Sequence, residues 1–241
     1  IVADNIFGHP AEYKDTLGTG ICKVFDLAAA STGASEKLLR GQGIPFEKIY
    51  VHASDHAGYY PGATQVNLKL LFDPSDGRLL GAQAIGPKGV DKRIDVLATA
   101  LRAQMTVFDL EELELCYAPP FGSAKDIINQ AGFVASNVLR GEHQICQAEQ
   151  ISARVDDALL IDVRSPAEIG VLGTIDEALN IPVNLLRANL DRLPKDRPLV
   201  VFCAVGLRGY VAYRLLNNLG YQVRNLTGGF TTYQMVKRIG I

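Results

Sequence analysis

Cys203 closes the apolar run PLVVFC (198–203) and is followed at once by AVGLRG (204–209). A buried strand ending in cysteine delivers the thiol to the carboxyl edge of an open α/β sheet, where such sheets place their ligands. Ala204, Val205, Gly206, Leu207, Arg208 and Gly209 must then turn the chain into a helix, and Gly206 and Gly209 permit the φ values of a tight turn. N–H groups pointing into such a loop form an anion-binding nest, reinforced by the positive end of the helix. Both favour the thiolate, the reactive form of cysteine. Arg208 adds a cation. All four histidines (His9, His52, His56 and His143) precede this segment. A Cys–His pair within it is therefore excluded, and activation falls to the loop, the helix dipole and Arg208. Such a loop suits the negative terminal sulfur of a persulfide. A cysteine at a strand end is more often a small buried hydrophobe; the Gly-x-Arg-Gly context lifts Cys203 above that reading.

Two upstream segments are rich in protic groups. SDHAGYYPGA (54–63) sets Tyr59 and Tyr60 side by side, and ELCYAPPFGSAKD (114–126) places Tyr117 before two prolines and a glycine. On composition alone both are turns whose rings pack on the surface.

The elements that must position these groups follow from periodicity. Thr64–Phe72 alternates in part, and FDPSDGRLLGAQAIG then predicts a strand, an Asp-Gly turn and a strand, so an antiparallel hairpin is expected. Val90–Ala103 has helical spacing at Ile94, Leu97, Ala98 and Leu101. Ser123 is expected to cap a helix running to about Leu139, with Gly141 as its stop. Strands followed by helices predict an α+β domain over 1–140. The polar stretch Arg140–Cys146 marks the boundary. From 147 to 241 the pattern becomes short apolar strands (ALLID 158–162, PLVVFC, YQVRNL) alternating with helices, one being Gly206–Leu219 with a stripe at Val211, Leu215 and Leu219. That alternation predicts an α/β domain with a parallel sheet.

The 241 residues suffice for two ordinary domains, with 48% hydrophobic and 21% charged residues. A net charge of −2 gives no reason to expect nucleic acid or an anionic membrane as partner. No apolar run is long enough to span a bilayer. Cys22, Cys116, Cys146 and Cys203 are scattered, with neither CxxC spacing nor a secretory signal, so a reducing cytoplasm is expected and a structural zinc is not. No GxGxxG occurs. The opening IVADNIFG has no initiator Met and reads as the tail of a helix, so an upstream part is expected.

From 147 onward the chain resembles rhodanese. IDVR (161–164) with SPAE (165–168), GTIDEALNIP (173–182), CAVGLRG (203–209) and LTGGF (226–230) follow that family's motifs in order. Glu177 stands where glycine is usual, which puts the local backbone geometry in question. The resemblance implies that Cys203 accepts sulfane sulfur, in a six-residue loop from Cys203 to Arg208 rather than the longer loop of related phosphatases. Asp162 and Arg164 read as a structural charge pair. GYYPGA, KGVDKRIDVLATA (88–100) and YAPPFGSAKD (117–126) resemble the dimerisation domain of flavin-dependent disulfide reductases of the coenzyme A-disulfide reductase type. Together the halves resemble the coenzyme A-disulfide reductase–rhodanese fusions, which reduce persulfides and polysulfides. The resemblance implies a homodimer, with Tyr117 and one or both of Tyr59 and Tyr60 reaching the partner's active site. It implies FAD, NADH and coenzyme A for the intact protein and no cofactor bound by these residues themselves. The sulfur donor would be polysulfide, persulfide or thiosulfate, and the acceptor a thiol. The rival reading is a catalytically silent interaction module on a dimerisation scaffold.

Overall fold

The computed structural model describes residues 1–152 and 157–239. The first half runs α1 (Val2–Ile6), β1 (Gly20–Val24), β2 (Leu27–Gly33), α2 (Glu36–Gln42), β3 (Glu47–Ser54), β4 (Gln65–Phe72), β5 (Leu79–Gly86), α3 (Val90–Arg102), α4 (Val107–Glu112) and α5 (Ile127–Leu139). Its five strands form an antiparallel sheet in the order β1-β2-β5-β4-β3. The expected hairpin is β4–β5. Gly77 takes φ +78° at its turn, a conformation that glycine adopts without strain. Val66, Leu68 and Leu70 are buried from β4 in one core with Ile94, Leu97 and Ala100 of α3, which packs over β2 and β5 while α5 covers β3 and β4.

The second half runs β6 (Ile145–Cys146), α6 (Ala148–Ser152), β7 (Leu159–Asp162), α7 (Pro166–Leu172), β8 (Leu179–Asn180), a 3₁₀ turn (Leu186–Arg192), β9 (Leu199–Phe202), α8 (Leu207–Asn218), β10 (Val223–Leu226) and α9 (Gly229–Ile239). Its sheet is parallel, in the order β6-β10-β9-β7-β8. All four residues of the central strand β9 are buried. Leu199 and Val201 face a core shared with Ala212, Tyr213 and Leu216 of α8, while Val200 and Phe202 face Phe230, Tyr233 and Val236 of α9. Each buried Val, Leu or Phe side chain of β9 contributes about 1.5–3 kcal/mol, which is why a strand covered on both faces reads as an unbroken apolar run.

Two local expectations differ from the structure. Asp126, not Ser123, caps α5: its carboxylate accepts from the Ile128 N–H at 3.2 Å, and Asn129 completes a capping box. The stripe Val211, Leu215, Leu219 is not the inward face of α8. Val211 and Leu219 are exposed, and the buried positions are Gly209, Ala212, Tyr213 and Leu216. Close approach of Gly209 to β10 sets that phase. In the polar stretch 140–146, Ile145 and Cys146 pair with Asn225 and Leu226 as an edge strand of the second sheet.

The two halves pack together. Thr227 accepts from the Tyr50 N–H at 3.0 Å, Thr232 Oγ1 meets His52 Nε2 at 2.8 Å, and Gln147 donates to the Lys48 carbonyl at 2.9 Å. Lys48, almost fully buried, bridges Glu36 and Glu149 at 3.0 and 2.6 Å. No helix among the described residues is long and apolar enough to cross a membrane, and no cluster of His, Cys, Asp or Glu there could hold a metal ion.

Candidate active site

β9 ends at Phe202, and Cys203 follows it into a turn that becomes α8 at Leu207. Gly206 takes φ +111°, a value closed to residues with side chains. Its N–H points back at Cys203 Sγ, 3.2 Å away. Ala204, Val205 and Gly206 are half-buried and Leu207 is exposed. Gly209 is already helical. Its lack of a Cβ serves packing, not turn geometry, since a Cβ would stand 2.2 Å from Asn225 Oδ1.

Arg208 lies beside the thiol. Its guanidinium is held by the Glu168 carboxylate through two bonds of 2.8 and 2.5 Å, a bidentate geometry that fixes the plane of the fork. Glu168 is set in turn by the start of α7, where it accepts from the Ser165 N–H and hydroxyl at 3.0 and 2.9 Å. The Arg208 bonds, with those from Ser165, hold the Glu168 carboxyl down at about 2. Arg208 itself is pushed up, first by Glu168 and also by the neighbouring Cys203. The arrangement offers one N–H and one cation to a sulfur anion.

The closing turn supports the loop from behind. Phe230 N–H donates to the Cys203 carbonyl at 2.8 Å and Thr231 N–H to the Ala204 carbonyl at 2.9 Å. Gly228 and Gly229 both have positive φ, and a Cβ on Gly229 would stand 2.4 Å from the Cys203 carbonyl oxygen. Asp162 and Arg164 form a pair with no exposed surface, joined through Nη2 and Oδ2 at 2.6 Å. Thr174 also donates to Asp162, and the Arg164 guanidinium lies 4.1 Å from the centre of the Phe230 ring. With Arg164 also donating to the Gly173 carbonyl at 2.8 Å, the pair ties β7 to the segment after α7. Glu177 adopts φ +66°, so the left-handed backbone is kept at the position where glycine is usual.

The tyrosines form a separate group. Tyr59 and Tyr117 bring their hydroxyls to 3.3 Å, whereas Tyr60 packs edge-on against His56 at 5.9 Å. Tyr59 is 77% exposed and Tyr117 51%. The hydrogen bond to Tyr117 holds the Tyr59 phenol above its ordinary range. Buried Arg93 braces both loops, donating to the Asp55 carbonyl at 2.6 Å and to the Asp126 carboxylate at 2.6 and 3.2 Å. Among the described residues no hydrogen bond or ring contact joins these tyrosines to the Cys203 loop.

All four histidines precede residue 147 in the chain, but two of them reach the second half in space. His52 meets Thr232, and His143 lies against Tyr210, Tyr213 and Asn225. Their hydrogen bonds go to Asn67, Thr232 and Asn225, so Cys203 gains no base from them. Glu168 was visible only as a motif letter. Its pairing with Arg208 follows from the capping box at Ser165, which turns its carboxylate toward the loop.

Comparison with known proteins agrees with this division. Residues 19–127 match the family model of the pyridine nucleotide-disulphide oxidoreductase dimerisation domain, and residues 147–235 that of the rhodanese-like domain. The crystal structure of reduced Bacillus anthracis CoADR-RHD superposes with a TM-score of 0.95 at 48% identity, covering 99% of this chain and 43% of that one. A NAD-dependent persulfide reductase from A. fulgidus does so at 0.87 and 36% identity, covering 96% of this chain and 42% of that one. The coenzyme A disulfide reductase of Staphylococcus haemolyticus is 39% identical over 139 residues, which are 57% of this chain and 31% of that protein. The chain thus spans about a third of the curated relatives' length and under half of the two solved structures. Residues 19–127 are a dimerisation domain of the pyridine nucleotide-disulphide oxidoreductases, residues 147–235 are a rhodanese-like domain, and the chain belongs with the coenzyme A-disulfide reductase–rhodanese fusions.

Proposed function

We propose that Cys203 is a sulfur carrier: its thiolate attacks the outer sulfur of a sulfane donor and becomes a persulfide. With thiosulfate the S–S bond breaks, sulfite leaves with the electron pair, and the sulfur stays on Cys203. An acceptor thiolate then attacks that terminal sulfur, forms the new persulfide and restores the Cys203 thiolate. The observation that carries this reading is the Gly206 N–H aimed at Sγ from 3.2 Å, with Arg208 held alongside by Glu168. Cys203 is only 1% exposed, which favours a small donor such as thiosulfate or polysulfide. The loop residues Ala204 to Gly209 cradle the anion, and Asp162 with Arg164 supports the sheet edge beneath it.

In the intact protein the acceptor is coenzyme A or a redox cysteine at a flavin site. These 241 residues hold no dinucleotide-binding glycine motif, so FAD and NADH would be bound by other parts of the protein, where they supply the reducing electrons. As a homodimer, the chain would present Tyr117 and Tyr59 to its partner's site, there to orient or protonate a thiolate. The hydroxyl pair favours Tyr59 over Tyr60 for that role.

Intact mass after brief exposure to polysulfide is the test. A gain of one sulfur, about 32 Da, reversible by thiol and absent from Cys203→Ala, is expected. An equal gain in the variant would sink the carrier reading. No gain in either protein would leave the silent interaction module.

A further inference from the structure

Gly206 has no side chain to hold it, and its φ of +111° is one that glycine can leave freely. Its backbone N–H and carbonyl are therefore its anchors. The N–H donates to Cys203 Sγ. The carbonyl accepts from the Tyr210 N–H at 2.8 Å and, at 3.2 Å, from the side-chain amide of Asn225 on β10. The same Asn225 amide nitrogen reaches His143 Nε2 at 3.0 Å. With the amide nitrogen donating, His143 Nε2 accepts and the ring proton sits on Nδ1, a buried atom without a hydrogen-bond partner among the described residues. Reversing the Asn225 amide would set its oxygen against the Gly206 carbonyl oxygen, so the loop fixes the amide's orientation.

We infer that His143 and Asn225 are a positioning pair through which the segment joining the two domains holds Gly206 against Cys203 and so sets the reactivity of the sulfur. His143 lies outside the rhodanese-like match, which begins at residue 147. It is 3% exposed and Asn225 is 2% exposed. The His143 ring is gripped edge-on by Tyr210 at 4.7 Å and tilted against Tyr213 at 5.3 Å. Asn137 of α5 reaches the Tyr210 hydroxyl at 3.4 Å, and Glu142 pairs with Arg214 of α8 at 3.1 Å. The segment is thus fastened to α8 on both sides of the histidine. Burial, with the charge of Arg214, holds the His143 imidazole down at about 4, which keeps Nε2 an acceptor at neutral pH. Gly209 completes the arrangement: only the absence of a Cβ lets the Asn225 oxygen sit against α8. The role rests on Cys203 being the reacting sulfur, and it assigns that sulfur's environment partly to residues before the domain itself.

The test is the rate of iodoacetamide alkylation at Cys203 in the full chain, read peptide by peptide in the mass spectrum from pH 6 to 10. Wild type, Asn225→Ala, His143→Leu and His143→Gln are compared. Loss of one buried hydrogen bond corresponds to roughly a three- to tenfold change. Asn225→Ala and His143→Leu should slow alkylation near neutral pH by about that factor and converge with wild type at the alkaline end, where every thiol is ionised. His143→Gln supplies an acceptor amide oxygen and should stay within about twofold of wild type. Rates unchanged across the range, or lowered equally at every pH, overturn the pairing. If Asn225→Ala does not fold, the contrast between His143→Leu and His143→Gln decides. Alkylation needs no sulfur donor, so failure of the carrier reading would appear separately, as no polysulfide mass gain in wild type.

Discussion

The Cys203 loop and the tyrosine loops are built on opposite terms. Around Cys203 the groups that could serve the chemistry are already assembled within one chain: a buried thiol, an N–H aimed at it, and an arginine fixed by a carboxylate. Tyr59 and Tyr117 meet each other but nothing that reacts, and both point outward from loops that Arg93 braces from below. A site of the first kind is stabilised by packing that leaves no room for change. One of the second kind is a presented surface, rigid at its base and open at its tip, whose chemistry comes from what docks on it.

That contrast is sharpest at two glycines. A Cβ on Gly209 would stand 2.2 Å from Asn225 Oδ1, with the Cys203 backbone nitrogen 3.5 Å away, so Asn225 has to move. A Cβ on Gly58, next to Tyr59, would have Ser54 Oγ as its only close neighbour, at 3.6 Å, an ordinary contact. Gly209→Ala should therefore cost about 1–3 kcal/mol and Gly58→Ala less than about 0.5 kcal/mol. Urea denaturation midpoints of the two variants check this. Equal midpoints would mean that the Cys203 loop is as tolerant as the tyrosine loop and that the comparison fails.

The next effect in size concerns Glu168. Replacing it by glutamine keeps the size and one acceptor oxygen but removes the charge, so Arg208 loses its charge-assisted fork. Sulfur uptake from thiosulfate should slow by about tenfold, the worth of one such contact, while the Tyr59–Tyr117 contact is untouched. A stopped time course by mass spectrometry measures it, and an unchanged rate would show that Arg208 needs no tether. In the wild-type protein the pair is robust to acid. Its carboxyl is lowered to about 2, so whatever stability it contributes is in full force above pH 4.5 and is lost only as the pH falls through about 2. Both partners are about one-third exposed, which keeps that contribution small.

Much of this was legible in the residues. The apolar run to Cys203 and the glycines after it predicted a parallel sheet carrying a thiol at its edge, because a strand buried on both faces leaves no alternation. Asp162 and Arg164 were expected as a charge pair and are one. The phase of α8 was missed because periodicity favours large apolar residues, and here a glycine and a tyrosine face inward. Asp126 was missed as the cap of α5 because serine at 123 carries the same signal, and only the buried Arg93 decides between them. Long-range pairs such as His143 with Asn225, 82 residues apart, have no local signature at all.

The smallest effect probes the open site. In the folded chain the Tyr59 phenol is held above its ordinary range, chiefly by the hydrogen bond with Tyr117 and then by the slight loss of solvent around it. Tyr117→Phe removes the first cause and keeps the ring, so Tyr59 should titrate at a lower pH than in wild type, closer to an ordinary phenol near 10. Tyr60, which packs on His56 instead, serves as the control: Tyr60→Phe should leave the Tyr59 curve where it was. Ultraviolet difference titration resolves the two cases. A Tyr59 curve unmoved by Tyr117→Phe would mean that the two hydroxyls do not meet in solution. The preference for Tyr59 over Tyr60 would then lose its support, and the tyrosine loops would be left as a surface without a defined tip.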